Sequence, residues 1–373
     1  MCLYPKLIKN RKYTANKKNG GVIPAVSDKR VLTVPVGCGK CMECKKKKAR
    51  EWQVRLLEDV RHNNEGVFVT LTFSNESIKK LSAGIHKLEG YELDNEIATK
   101  AVRLFLERWR KKYKKSVRHW LVTELGHNGT ENIHLHGIIW TDKREDINNI
   151  WEYGYTWVQD KKSNVNEKIV NYITKYINKV DLEHKEYNSK VLCSKGIGKG
   201  YTERNDAVNN RYIKGKTKEY YTTRSGHKIA LPIYWRNKIY TEEERERLWI
   251  EKLDQEKRYV GGEEVSIKEG NEEYYKLLEY WRKKNNQLGY GNSEKNWNRK
   301  EYEKQRRMLL HKKRINDITE EDFKKEELKI PEVFEWDRLD QTMGVISHEN
   351  KDMYRDWETV CYRDWETDRK SVV

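Results

Sequence analysis

The sequence has no run of 18 apolar residues and its mean hydropathy is −1.04, so it holds no segment suited to crossing a membrane as a helix. Its start, Met-Cys-Leu-Tyr-Pro-Lys, lacks the apolar core of a signal peptide, and a cytosolic, reducing setting is expected. No Walker A motif is present. The glycines of Gly196-Ile-Gly-Lys-Gly200 do not run into Gly-Lys-Ser/Thr, and no clear strand precedes them, so nothing indicates an intrinsic helicase. Only one cysteine knuckle is visible, Cys38-Gly-Lys-Cys41-Met-Glu-Cys44, where ordinary zinc sites pair two. In a reducing compartment this spacing suggests thiolate ligation of a structural Zn²⁺, with Cys2 or a distant residue as fourth ligand. The alternatives are an iron–sulfur cluster, or a turn in which the cysteines pack as small hydrophobes.

What the sequence has in excess is positive charge. Among 373 residues, 76 Lys and Arg outnumber 59 Asp and Glu, for a net charge of +17. Residues 1–60 hold 15 basic against 5 acidic residues, so over half the excess sits in the first sixth of the chain. Such concentration points to a polyanionic partner, most simply nucleic acid. A membrane surface is not expected, because the segment lacks the large apolar face of an interfacial helix.

The length suits one good-sized core with an appendage, or two small domains. Residues 1–62 read as a basic N-terminal segment, ending in an amphipathic helix from Lys45 to Arg61 that carries Ala49, Trp52, Leu56 and Val60. Residues 63–240 read as the main domain. Val67, Val69, Leu71 and Phe73 alternate along a strand. Ile97, Ala101, Phe105, Trp109 and Tyr113 recur every four residues along a helix. His119–Glu124 and Ile133–Trp140 read as paired strands around a turn at Gly126-His-Asn-Gly129, and Tyr153–Gln159 as a further strand. Asn164 with Glu167 predicts a capping box for a helix running through Val180. This order predicts an α+β fold of the split βαβ kind: an antiparallel sheet with helices on one face and the other open to a substrate. Residues 241–353 read as a charged helical accessory region. Tyr354-Arg-Asp-Trp-Glu-Thr359 recurs verbatim at 362–367, a repeat with no structural period that resembles translated adapter sequence. Residues 354–373 are therefore expected to form a non-native or disordered tail.

His134 and His136 are the strongest chemical feature. On a strand, a separation of two puts both imidazoles on one face as a pair of metal ligands. Alone, such a pair is equally the mark of a half-buried strand whose histidines face solvent. A further ligand is needed, and Glu124, at the end of the neighbouring strand, is the best placed; Glu131 and His127, in the turn, are less constrained. Imidazoles with a carboxylate suit Mn²⁺ or Mg²⁺. Tyr172 and Tyr176 lie four apart on the predicted helix and share a face, with Ile169, Ile173 and Ile177 on a separate stripe. Lys175 and Lys179 follow each tyrosine by three residues, and an ammonium beside a phenol favours the phenolate and also holds phosphate. The tyrosines could instead simply widen the apolar face. A zinc-hydroxide hydrolase fits the same ligands but leaves the tyrosines without a role. Together the residues suit a phenolate attacking a phosphodiester with Lewis-acid assistance.

In order, Phe68-Val-Thr-Leu-Thr-Phe73, His134-Leu-His136 and Tyr172-Ile-Thr-Lys-Tyr176 resemble the three motifs of the HUH endonucleases. The paired Tyr-x-x-Lys steps resemble rolling-circle replication initiators of the single-stranded DNA phages of the Microviridae. The N-terminal Met-Cys-Leu-Tyr-Pro, the cysteine knuckle and Leu231-Pro-Ile-Tyr-Trp235 are similar to the gokushovirus branch, so the resemblance spans about residues 1–245. It implies site-specific nicking of origin DNA, a 5′-phosphotyrosine link, strand rejoining, single-stranded and origin double-stranded DNA as substrates, and a host polymerase and helicase as partners in the bacterial cytoplasm. It also implies His134, His136 and Glu124 as ligands for Mg²⁺ or Mn²⁺. Two other readings stay open at this point: a non-catalytic nucleic-acid-binding protein with a zinc knuckle, and an HUH transposase or relaxase.

Overall fold

The computed structural model of the chain describes residues 2–63, 65–127, 131–160, 164–184, 186–224, 226–291, 307–308 and 311. The repeated tail lies outside the described residues. Strands β1 (Lys6–Lys9) and β2 (Thr33–Val36) pair antiparallel across the basic N-terminal arm. Helix α1 (Met42–His62), strand β3 (Gly66–Leu71) and helices α2 (Asn75–Ser82) and α3 (Gly90–Tyr113) follow. Next come β4 (Arg118–Leu125), β5 (Ile133–Trp140), α4 (Glu145–Ile150), β6 (Thr156–Val158), α5 (Glu167–Asn178) and β7 (Val191–Cys193).

Strands β3 to β7 make one sheet in the order β6-β3-β5-β4-β7, every neighbouring pair antiparallel. Helix α3 links β3 to β4 while β5 inserts between them, which is the expected split βαβ arrangement in an α+β fold. Ile97, Ala101, Phe105 and Trp109 of α3 are buried in one core with Val67, Val69, Leu71, Leu121, Leu135 and Ile139. Where β5 passes between its neighbours, Gly137 leaves no room for a side chain: a Cβ there would fall on the Trp120 carbonyl and within 2.8 Å of Leu121 Cα.

Helices on one face only is the part of the expected architecture that the structure corrects. Leu56 of α1 and Val170, Ile173 and Ile177 of α5 pack on Trp120, Val122, Ile138 and Trp140, on the opposite side of the sheet from α3. The cause is that β4 and β5 are apolar on both faces, and a sheet of that kind needs cover on both. Toward one end of that second face the alternation turns polar, with Glu124, His134 and His136.

The start of α5 is also displaced from expectation. Its cap is Asn166, whose side chain accepts the amide of Ile169 at 3.2 Å. A capping oxygen reaches amides two or three residues on, so a helix beginning at Glu167 takes its cap from 166. Asn164 instead accepts from the Arg144 guanidinium at 3.1 Å.

Beyond the sheet, β8 (Tyr220–Thr222) and β9 (Lys228–Ala230) form a hairpin that leads into α6 (Ile233–Ile239). Trp235 of α6 is fully buried, stacks on Tyr201 at 4.2 Å and donates to the Gly198 carbonyl at 2.8 Å. The Gly198 amide donates in turn to Asp59 of α1, so the glycine stretch packs on a helix and cradles no phosphate. Helix α7 (Glu242–Asp254) adds Leu248 to this cluster. A hairpin of β10 (Lys257–Val260) and β11 (Glu263–Ser266) precedes α8 (Glu272–Gln287), whose Leu278 is buried beside Leu3, Tyr4 and Met42. Among the described residues, no helix is long and apolar enough to cross a membrane.

Candidate active site

Strand register builds the site. Glu124 stands directly opposite His134 on β5, while His136 lies between Val122 of β4 and Thr70 of β3. Since alternate residues share a face, both imidazoles and the carboxylate converge. One oxygen of Glu124, Oε2, lies 3.1 Å from His134 Nε2 and 3.0 Å from His136 Nε2. The far nitrogens are engaged as well: His136 Nδ1 is 3.0 Å from Thr70 Oγ1, and His134 Nδ1 is 3.4 Å from the Asn132 carbonyl. A carbonyl only accepts, so the His134 Nδ1 carries a proton, and its Nε2 meets the carboxylate with a lone pair or a second proton.

Burial would push the Glu124 carboxyl up, but hydrogen bonds from His134 and His136 outweigh it and hold the group well below the usual carboxylate range. Burial pushes the His136 imidazole below its ordinary value, despite the bond to Glu124. A largely buried carboxylate that faces two imidazole nitrogens requires positive charge between them. Protons supply it, and so does a divalent cation, for which two imidazoles and a carboxylate are a suitable donor set. The three donor atoms lie within 4.8 Å of one another.

Helix α5 brings both tyrosines to this trio. Its apolar side, Val170, Ile173 and Ile177, is buried in the core it shares with α1, while Gln53 of α1 donates to Asn171 at 2.7 Å. Ile169 lies at the margin of that stripe, half-buried. The Tyr176 ring stacks on His136, with centroids 4.3 Å apart and planes 7° from parallel. Tyr172 sits edge-on to Phe68 at 5.8 Å, and its oxygen is 2.6 Å from the Tyr176 oxygen. The lysines are arranged differently from a simple tyrosine-by-tyrosine pairing. Lys179 Nζ bonds Glu124 Oε1 at 2.9 Å, while Lys175 Nζ lies 6.0 Å from the Tyr172 ring centre. Burial would lower the Lys179 ammonium, and the Glu124 charge raises it above its ordinary value. Cys2, Cys38, Cys41 and Cys44 come together in a cluster of their own.

Several residues at the site escape a reading of the sequence. Thr70 alternates with the apolar Val69 and Leu71, which places it on the histidine face once the strand order is known. Lys45 of α1 lines a cleft with Glu124, Tyr176, Lys179, Asp181 and Tyr187, and burial together with the nearby Lys48 pushes its ammonium down. Because Thr70 orients the His136 ring, Thr70→Val weakens divalent-cation binding by about 10–100-fold. Titration calorimetry with Mn²⁺ reads this, and an unchanged affinity would remove Thr70 from the site.

Glu131 and His127 turn to other partners. Glu131 receives His184 Nε2 at 2.6 Å and the Arg307 guanidinium at 3.3 Å, and His127 lies 3.1 Å from Glu183. His184 has no exposed side-chain surface, and its Nδ1 is 2.7 Å from Asp181. Burial would lower this imidazole, but Asp181 and Glu131 raise it from 6.5 to about 9. A raised folded-state value stabilises the fold fully below about pH 6.5, and that contribution is lost as pH climbs through about 9. The wild type is therefore expected to lose stability to urea across this window more steeply than His184→Gln; identical slopes would contradict the assignment.

Residues 66–181 match a family model of replication-associated proteins, the ORF2 type. The matched span runs from β3 to just past α5, and includes Glu124, His134, His136, Tyr172, Lys175, Tyr176 and Lys179. It supports a protein of DNA replication, and a replication initiator in particular. No curated protein and no solved structure matches the chain.

Proposed function

We propose that the chain is a DNA-nicking and joining enzyme that initiates rolling-circle replication, of the kind the Microviridae initiators exemplify. The observation that carries this reading is the stack of Tyr176 on His136, which sets two hydrogen-bonded phenols against a Glu-His-His trio. Mg²⁺ or Mn²⁺ held by Glu124, His134 and His136 would supply Lewis-acid polarisation of a phosphate.

The chain's own groups do the rest. With oxygens 2.6 Å apart, one phenol donates to the other and stabilises the negative charge that its neighbour takes on as a nucleophile. The attacking oxygen forms a bond to phosphorus as the bond from phosphorus to the 3′ oxygen breaks. The 3′ oxygen keeps the electron pair and takes up a proton, leaving a 5′-phosphotyrosine and a free 3′-hydroxyl. The second tyrosine then repeats the step on a regenerated origin while the first releases its strand to the new hydroxyl. Lys179 and the desolvated Lys45 and Lys48 offer charge to the DNA backbone, and a phosphate would offset the cost of burying them. In the cell the 3′-hydroxyl would serve a host polymerase, with a host helicase opening the duplex, in the bacterial cytoplasm.

A non-catalytic sheet used as an open stacking platform is disfavoured, because α3 covers one face and α1 with α5 most of the other. The test incubates the full chain with Mn²⁺ and single-stranded oligonucleotides tiled over the replicon that encodes it. A covalent protein–DNA band on denaturing gels, absent with chelator, is expected. If no oligonucleotide in the tiling yields such a band, the proposal fails.

A further inference from the structure

Cys2, Cys38, Cys41 and Cys44 lie outside the matched span and have no part in the nicking chemistry. Thirty-five residues separate the first from the second, yet all four Sγ atoms lie within 4.8 Å of one another. Cys2 Sγ and Cys41 Sγ are 3.9 Å apart. Four sulfurs bound tetrahedrally at about 2.3 Å from a zinc ion stand roughly 3.8 Å from each other.

The surroundings are those of a thiolate site. The amides of Tyr4 and Cys38 point at Cys2 Sγ, at 3.3 and 3.2 Å, and the amide of Cys41 points at Cys38 Sγ at 3.3 Å. A neutral thiol is a weak acceptor, so three backbone donors aimed at sulfur favour its anion. Gly37 is packed against the cluster, where a Cβ would come within 3.0 Å of Cys44 Sγ. Leu3, Tyr4, Met42, Val260 and Leu278 close around it as a small core. Several thiolates crowded into such a place repel one another without a cation.

The geometry points to a closed tetrathiolate Zn²⁺ centre on Cys2, Cys38, Cys41 and Cys44 that joins the N-terminus to the start of α1 and to α8. Four protein ligands leave no position for substrate, which makes the centre structural. Helix α1 shows why it is needed. Its cap, Cys41, makes no side-chain cap bond, and the Met42 amide is satisfied by Asn285 of α8 at 2.9 Å. Arg282 of α8 donates to the Leu3 carbonyl at 2.9 Å. The ligands thus alternate with the contacts that dock α8, and Lys45, next to Cys44, is held beside Glu124 and Tyr176.

Elemental analysis of the full-length protein, purified without chelator, should find one zinc per chain. His134→Ala/His136→Ala retains it, and Cys38→Ser/Cys44→Ser loses it. Since the cysteine variant could misfold, the wild type decides: exchange with Co²⁺ gives the thiolate charge-transfer bands of a tetrahedral S₄ site, and thiol-modifying reagent releases the metal with all four cysteines. Folded wild type holding four freely reactive thiols and no zinc, or iron with inorganic sulfide in its place, overturns the assignment. Zinc present without any DNA adduct would sink the nicking proposal and support this one.

Discussion

Changing Tyr172 and Tyr176 together to Phe should abolish covalent attachment to single-stranded DNA, a loss on the order of 10⁴-fold or more, because no other group replaces a deleted nucleophile. Each single replacement should behave differently. One phenol remains to attack, but it loses the partner 2.6 Å away that stabilises its anion. A hydrogen bond to a charged group contributes about 1.5–3 kcal/mol, so each single variant should form the adduct about 10–100-fold more slowly at neutral pH. Neither single variant should circularise DNA, since the exchange of strands requires both oxygens. Single-turnover adduct rates and circular product on the same gels read both effects. Adduct persisting in the double variant would show that the attacking group lies elsewhere.

The second large effect falls on Glu124. Its Oε2 is shared by both imidazoles and its Oε1 holds Lys179, so Glu124→Ala removes the one anion at the centre of the trio. Lewis-acid assistance supplies several kcal/mol of transition-state stabilisation, and its loss should slow adduct formation by roughly 10²–10⁴-fold. Oligonucleotide binding should survive, because the basic residues that hold the backbone are untouched. Mn²⁺ titration followed by electron paramagnetic resonance, alongside anisotropy with labelled DNA, separates the two. A variant that binds Mn²⁺ as the wild type does and keeps its rate would place the cation elsewhere.

Much of this site is written locally. The alternation around His134 and His136 sets their shared face, and the short connection from β4 to β5 fixes Glu124 opposite His134. The helical spacing of Tyr172 and Tyr176, with isoleucines a third of a turn away, places the phenols beside the sheet. What is illegible depends on long-range pairing. Helix α1 reads as a charged helix, yet Glu58 and Asp59 are buried against Arg204 and Arg118, partners 146 and 59 residues away with no local signature. That pairing lets α1 lie on the second face of the sheet. Thr70 becomes a partner of His136 only through the strand order, and Cys2 joins the knuckle only because the arm folds back. The α5 cap shows a smaller ambiguity: Asn164 and Asn166 both precede Glu167, and only the backbone of the first turn selects between them.

The most direct measurement is to map the covalent bond. Protein linked to an oligonucleotide in the presence of Mn²⁺ is digested with nuclease and trypsin, and the residual nucleotide is located by tandem mass spectrometry. Cleavage after Lys168, Lys175 and Lys179 puts Tyr172 and Tyr176 on separate peptides. A nucleotide phosphate on one or both of these tyrosines is the predicted result; a phosphate on any other residue, or no covalent product at all, would contradict the account.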